Sequence, residues 1–374
     1  MRTRAAILRR QDSAGPYSRT RPIEIAEVEL APPGPGEICV AIKAAGLCHS
    51  DLSVINGDRP RPLPMALGHE AAGVVEAVGD GVVDLVPGDH VVTTFMPNCG
   101  HCLPCSEGRP ALCEPGAEAN GAGLLLAGGR RLSEQGVAIH HHLGVSAFAE
   151  RAVMSRRSVV RIDPAVPFVE AALFGCAVLT GVGAVVNTAR MPMGASAAVV
   201  GLGGVGLAAQ LGTRAAGASR IVAVDVSAEK LALAKEMGAT DVFDARDPDC
   251  VEQVRALTGG GVDFGFEMAG SIPALANTLG MTKRGGATVT AGLPPAGATL
   301  PVDVVRLVAE ERTLKGSYMG SCVPARDVPR YIQLYREGRL PVDRLLSGTL
   351  TLDEINTGFD RLQAGAAVRQ VIRF

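Results

Sequence analysis

The first third of the chain alternates short apolar runs with proline and glycine punctuation. Residues 23–30 (IEIAEVEL), 37–46 (EICVAIKAAG), 71–79 (AAGVVEAVG) and 89–95 (DHVVTTF) alternate or run apolar, the pattern of strands with at least one buried face. PPGPGE at 32–37 and VPGDHV at 86–91 supply the turns between them. Residues 114–136 are rich in Gly and Ala with weak periodicity and read as an exposed excursion, after which SAFAERAVM (146–154) predicts another strand.

From about residue 177 the rhythm changes. AAVVGLGGVGLAAQLGTRAAGASRIVAVD reads as an apolar strand, a glycine turn, a helix and a second apolar strand. SAEKLALAKEMGATDVF adds a helix and a strand, and DFGFEMAG and GGATVTAGL add two more strands. Buried strands alternating with amphipathic helices predict an α/β fold with a doubly wound parallel sheet. After about residue 318 the character is mixed again. DVPRYIQLYREG reads as a helix, TLDEINTGFDRLQAG as a helix capped by Thr351 or Asp353, and AVRQVIRF as a closing strand. The economical arrangement is a doubly wound domain at 178–318 inserted into a β-rich domain built from 1–177 and 319–374.

The glycine turn carries chemistry. Gly201, Gly203 and Gly206 form G-x-G-x-x-G, with Gly204 and Val205 between, directly after a strand and opening a helix. Such glycines permit a tight turn and close backbone approach, and the helix N-terminus faces a pyrophosphate. Asp225 ends the next strand, nineteen residues after Gly206. Its carboxylate can accept from both ribose hydroxyls and repels a 2′-phosphate, which favours NAD over NADP. Lys230 is placed either on that ribose or in solvent.

Cys99, Cys102, Cys105 and Cys113 form C-x2-C-x2-C-x7-C within fifteen residues. Four thiols from one loop can close a tetrahedral shell, the pattern of a structural zinc. A disulfide framework fits less well, because nothing else in the chain points to an oxidising compartment. Three scattered segments, GLCHSD (46–51), GHEAAG (68–73) and FGCAVLTG (174–181), carry further ligand types among small residues. Cys48, His69 and Cys176 would give two thiolates and one imidazole with a fourth position open, as in catalytic zinc sites. Asp51 could accept the second ring N–H of His69. Spacing alone cannot pair distant ligands, so buried structural cysteines and a core histidine remain the alternative.

Composition narrows the class. The chain has 374 residues, 47% hydrophobic and 20% charged, with a formal net charge of −2. That balance gives no electrostatic footprint for nucleic acid or an anionic membrane. Arginine pairs such as Arg130–Arg131 read as solvated surface. No stretch reaches the roughly 18 uninterrupted apolar residues of a membrane span. The N-terminal MRTRAAILRRQDSAGP is not read as a leader. With nine cysteines mostly at metal spacings, a reducing, cytoplasmic setting is expected.

GLCHSD, GHE, CGHCLPC…C, FGC…TG, GLGGVG and RQVIRF, in this order, resemble the zinc-dependent medium-chain alcohol dehydrogenases over essentially the whole chain. The likeness is to the long branch containing the class I and class III enzymes. It implies a Rossmann domain inserted into a GroES-like catalytic domain, NAD, two zinc ions per chain, and a homodimer. It makes Cys48, His69 and Cys176 the catalytic zinc ligands, with Glu70 nearby and Ser50 starting a proton relay. The four-cysteine loop matches the structural zinc. Asp225 and Lys230 match adenosine-ribose contacts, Thr180 a position beside the nicotinamide, Leu293 a cofactor-binding position, and His49 and Arg369 basic positions facing the pyrophosphate. Phe95, Leu112, His142, Leu143, Leu293 and Tyr318 fall where the family lines its substrate barrel.

The chain also departs from that pattern. Ser53 stands where many relatives have a relay histidine, and His142 where Phe or Tyr is usual. The segment EPGAEANG after Cys113 has no arginine, although glutathione-dependent formaldehyde dehydrogenases place one there to bind a carboxylate. Oxidation of primary alcohols with NAD is therefore the leading expectation. S-(hydroxymethyl)glutathione dehydrogenase is the alternative enzyme, and a zinc-ribbon binding module without turnover the non-enzymatic one. In the His140–His141–His142 run, adjacent side chains should diverge rather than share a metal.

Overall fold

The computed structural model describes residues 1–11 and 14–374. Asp12 and Ser13, part of the N-terminal stretch discussed above, lie outside the described residues. The chain divides into two compact units. The first comprises Met1–Cys176, Val323–Arg330 and Leu346–Phe374, and the second Ala177–Cys322 and Tyr331–Leu345.

The first unit is β-rich, as its alternating sequence requires. Arg2–Leu8 pairs antiparallel with Ile23–Leu30 over its whole length, from Arg2 opposite Glu29 to Leu8 opposite Ile23. Leu132–Glu134, Val137–His141 and Met65–Ala66 close these two strands into a small barrel. A second sheet runs in the order Val159–Arg161, His90–Thr93, Glu70–Val78, Glu37–Gly46, Arg369–Arg373 and Leu346–Leu350, with Arg151–Ser155 also on Glu37–Gly46. The central strand Glu37–Gly46 buries nine of its ten residues, which explains its near-continuous apolar run. Tyr17, Phe148 and Phe359 are the largest side chains of the core behind this sheet. The Phe148 and Phe359 rings meet edge to face at 6.2 Å.

Two expectations change in this unit, and one alternative is decided. Residues 114–136 are not simply an exposed excursion: Glu114–Ala122 is a helix, Leu125 is fully buried, and Leu132–Glu134 joins the barrel. Gly and Ala hid the helix because small residues give little amphipathic signal. Arg131 is not merely solvated; its guanidinium grips the buried Glu37 carboxylate at 2.7 and 3.3 Å. Thr351, rather than Asp353, caps the C-terminal helical segment, through reciprocal bonds with Glu354, while Asp353 pairs with Arg4 at 2.8 Å.

The second unit has six parallel strands in the order Asp241–Asp244, Arg220–Asp225, Ser196–Val200, Val262–Glu267, Thr282–Thr290 and Thr313–Gly316. The chain order therefore reverses beside Ser196–Val200, the switch point at which doubly wound sheets bind ligands. Gly204–Ala215, Ala228–Glu236, Cys250–Leu257 and Ile272–Met281 are the intervening helices. Serine caps begin two of them: Ser227 Oγ accepts the Lys230 N–H and Ser271 Oγ the Ala274 N–H. The fold is thus α/β, a Rossmann-type parallel sheet with a GroES-like β-rich unit. One helical run, Phe168–Ala189, is long and apolar enough to cross a membrane by composition, but 83% of its apolar window is buried inside the protein.

Phe359→Ala should lower the unfolding free energy of the β-rich unit by about 3–5 kcal/mol, the usual cost of deleting a buried ring. Urea denaturation followed by circular dichroism measures this. Val83→Ala, at a 91% exposed position, should leave the midpoint unchanged.

Candidate active site

Three chain segments bring Cys48, His69 and Cys176 together. Cys48 is the N-cap of the helix His49–Ile55. His69 immediately precedes the strand Glu70–Val78. Cys176 sits in a π-helical turn, Phe174–Val178, a local widening that often accompanies functional positions. The neighbouring Gly175 lets this turn approach the sheet, since a Cβ there would stand 2.2 Å from the Thr93 carbonyl oxygen.

All three side chains are buried, and their ligand atoms lie within 4.8 Å of one another. The Cys48 and Cys176 sulfurs are 4.0 Å apart. That is close to the ~3.8 Å edge of a tetrahedron with zinc–sulfur bonds of about 2.3 Å. His69 Nδ1 bonds Asp51 Oδ1 at 3.1 Å, leaving Nε2 buried with no hydrogen-bond partner among the described residues. An orphaned imidazole nitrogen beside two thiols is a donor set that fits zinc. The Cys176 thiol, followed by Arg369 and His69, favours the Cys48 thiolate and pushes its pKa well below the ordinary value. Cys176, hydrogen-bonded to that thiolate, moves correspondingly up. Burial opposes a charged His69 ring, but Asp51 and Cys48 outweigh it and hold the pKa well above ordinary.

Around this trio the side chains are fixed. Asp51 is fully buried; its Oδ1 also accepts the Gly68 N–H and its Oδ2 the Cys48 N–H, each at 3.2 Å. Glu70 lies against Arg369, 3.4 Å between Oε2 and a guanidinium nitrogen, both buried. Arg369 also donates to the Leu47 carbonyl at 2.9 Å. The side chain matched to a pyrophosphate contact is therefore held inside the β-rich unit by Glu70, a role that resemblance alone did not disclose. His49 is exposed and Ser50 half-buried. Ser53 Oγ donates to the His49 carbonyl at 2.8 Å.

Of the matched pocket positions, Phe95 and His142 flank the His69 ring, with centroids 5.8 and 5.4 Å away. Leu143 is buried in the turn that follows His142, whereas Leu112 is 41% exposed at the end of the turn Pro110–Leu112. Leu293 and Tyr318 belong to the second unit. The three consecutive histidines diverge: His140 Nε2 meets Arg130 at 3.3 Å, His141 Nε2 accepts the Arg131 N–H at 3.0 Å, and His142 turns to Asp51. Burial lowers His141 to about 3, so it is neutral. Sequence reasoning missed Arg61, which reaches the Asn120 carbonyl at 3.3 Å; no motif ties these two positions together.

The second candidate metal set is the loop of Cys99, Cys102, Cys105 and Cys113, whose sulfurs also lie within 4.8 Å of one another. All nine cysteines are free thiols. Backbone N–H groups of His101 and Cys102 point at the Cys99 sulfur, and those of Cys99 and Gly116 at Cys113. Such donors support thiolates. At Cys99 they outweigh burial and lower the pKa to about 7.

In the second unit, the glycine turn links Ser196–Val200 to Gly204–Ala215. Gly201 has φ +89°, and a Cβ would strike the Ala269 backbone nitrogen at 2.6 Å. A Cβ at Gly206 would lie 1.8 Å from the Gly201 oxygen, whereas Gly203 faces open space. One glycine makes the turn, one seals helix to strand, and one leaves room for a ligand to approach the backbone. Asp225 Oδ2 accepts the Leu202 N–H at 2.6 Å and Oδ1 the Ser227 N–H at 2.9 Å. It thereby holds the turn as well as ending its strand. Lys230 follows the Ser227 cap and is half-buried, and Thr180 is buried in the helix Leu179–Gly183.

Comparison with known proteins agrees with this geometry. Residues 34–164 match the alcohol dehydrogenase GroES-like domain, and residues 204–337 the zinc-binding dehydrogenase domain. An alcohol dehydrogenase zinc-binding domain protein from Burkholderia ambifaria is 34% identical, with 100% of this chain and 99% of that one covered and a TM-score of 0.93. Benzyl alcohol dehydrogenase from Acinetobacter calcoaceticus is 31% identical, with coverage of 100% and 99% and a TM-score of 0.93. A chain from Sinorhizobium meliloti 1021, solved bound to NADP, is 26% identical over 100% of both chains, with a TM-score of 0.81. Together these define an oxidoreductase of the zinc-binding dehydrogenase class. The chain belongs to the zinc-dependent medium-chain alcohol dehydrogenases.

Purified protein is expected to hold about two zinc ions per chain, one for each set of converging ligands. Cys176→Ser and Cys105→Ser should each remove about one, as measured by atomic absorption.

Proposed function

We propose that the protein is an NAD-dependent alcohol dehydrogenase that interconverts primary alcohols and aldehydes. The observation that carries this reading is the buried trio of Cys48, His69 and Cys176, with His69 Nε2 unpartnered among the described residues. Zinc held there would supply a Lewis acid for an alcohol or carbonyl oxygen, and NAD would supply the hydride acceptor.

The chain's own groups do the rest. Ser50 makes no side-chain hydrogen bond among the described residues, so its Oγ is available to accept the proton of a substrate hydroxyl while its own proton passes outward. Ser53 Oγ donates to the His49 carbonyl and would have to release that proton to carry the transfer onward. Asp51 orients His69, and Arg369 supports Glu70 beside the thiolates. The dinucleotide preference is argued from Asp225: its carboxylate would face a 2′-phosphate with like charge. This favours NAD even though one relative was solved with NADP. Similarity to a benzyl alcohol dehydrogenase and the Phe95 ring beside His69 support aromatic and medium-chain alcohols as the first substrates to assay.

The glutathione-adduct reading has one observation in its favour. The helix Glu114–Ala122 has no arginine of its own, yet Arg61 brings a guanidinium to its Asn120 carbonyl. Steady-state kinetics decides between the two: a kcat/KM for S-hydroxymethylglutathione far above that for benzyl alcohol or octanol would replace the first reading.

A homodimer is part of the proposal. The edge strand Thr313–Gly316 is exposed at all four positions, and the nearby helix Val304–Ala309 shows solvent Val304, Val305 and Val308 at 65–79% exposure. Sedimentation should give twice the 38.5 kDa chain mass, and Val308→Glu should shift the species toward monomer.

Ser50→Ala should lower kcat by about 10²–10⁴-fold, the range for a lost acid–base group, with NADH binding unchanged by fluorescence titration. Asp225→Ser should weaken NADH binding and strengthen NADPH binding; an unchanged ratio would remove Asp225 from cofactor selection.

A further inference from the structure

The Asp51 carboxylate serves two imidazoles. His69 Nδ1 and His142 Nδ1 each stand 3.1 Å from the same oxygen, Oδ1. All three side chains are at most 2% exposed, and the two rings cross edge to face at 85°. His142 Nδ1 meets Asp51 at charge-pair distance without satisfying hydrogen-bond geometry, and no other polar group among the described residues satisfies it.

The backbone holds His142 in this place. Its N–H is shared between Ser146 Oγ at 3.0 Å and the Ala66 carbonyl at 3.2 Å, and its carbonyl accepts from Val145 and Ser146. Leu143 and Ser146 both adopt left-handed backbone, φ +51° and +57°, a conformation unfavourable for residues with a Cβ. A strained turn that fixes one ring against a buried carboxylate is more than a filled cavity requires.

We infer that His142 is a positioning residue that divides the Asp51 carboxylate between two rings and so limits the donor strength of His69 toward the metal. A carboxylate behind a ligating imidazole polarises its N–H and makes the opposite nitrogen a better donor. A second N–H dipole on the same oxygen draws on the same charge. His69 Nε2 is then a weaker donor than an undivided Asp51 would make it. A metal held there would be bound less tightly and would keep more of its acidity for substrate. The inference rests on the zinc reading of Cys48, His69 and Cys176.

The test is zinc release to a chromogenic chelator from the intact protein, with the four-cysteine loop as internal reference and Cys176→Ser assigning the other phase. His142→Phe keeps ring bulk and removes the N–H, and Asp51 retains His69, Gly68 and Cys48 as donors. Release from the Cys176 phase should slow by about tenfold, the lower end of effects from outer partners. His142→Asn, which restores an N–H near the same place, should return it to the wild-type rate. A merely structural His142 would give faster release in His142→Phe, through loosened packing. Unchanged or faster release overturns the inference, as does an Asn variant that behaves like Phe. If His142→Phe does not fold, His142→Leu is read by the same criteria. If the wild-type protein shows no Cys176-dependent phase, the zinc reading itself fails and this inference with it.

Discussion

Asp51 is a full negative charge with no solvent exposure, and a buried carboxylate persists only where donors surround it. Here those donors are also the parts of the site. The Cys48 N–H places the first thiol, the Gly68 N–H fixes the approach to His69, and the two histidine rings close the remaining sides. Burial works against ionisation, yet His69 and His142 keep the Asp51 pKa below the ordinary carboxylate value. One charge thereby couples a helix N-terminus, a strand entrance and a tight turn from three separated stretches of chain. Removing it would leave several donors unsatisfied together.

Glu70 and Arg369 form a second set of buried charges. Burying an ion pair is seldom a gain in stability, but leaving one partner alone costs about 3–5 kcal/mol. The pair joins the strand after His69 to the last strand of the chain, so the C-terminus is needed to complete a site begun near residue 48. The positive charge of Arg369 also favours the Cys48 thiolate. The metal set is therefore flanked by one carboxylate that acts on an imidazole and one guanidinium that acts on a thiol.

The second unit solves a different problem with backbone rather than charge. Gly201, Gly203 and Gly206 are dictated by what a Cβ would meet, and Asp225 reaches back to the turn through the Leu202 N–H. A residue identified by its distance from the glycines is thus also a structural brace of the turn it follows. This accounts for its near-complete burial, which a purely ribose-facing side chain would not need.

Local pattern alone sufficed for much of this protein. Strands at 23–30 and 37–46, the glycine turn, the cysteine loop and the strand–helix alternation of a parallel sheet all follow from short-range rules of period, turn chemistry and spacing. The family resemblance went further, naming the scattered ligands Cys48, His69 and Cys176, which periodicity could not pair. Other features stayed hidden because they depend on contacts between distant residues. The helix at Glu114–Ala122 gives almost no amphipathic signal, and Arg131 looked solvated until Glu37, far back in the chain, was beside it. The widened turn at Cys176 and the reach of Arg61 to Asn120 have no local signature. Nor does the second ring at Asp51, since His142 shares that oxygen only because a strained turn brings it there. Sequence by itself determined the elements and the kinds of chemistry available. Tertiary structure decided which buried charge each of those groups would share, because burial makes the partner of a charge matter more than its neighbour in sequence.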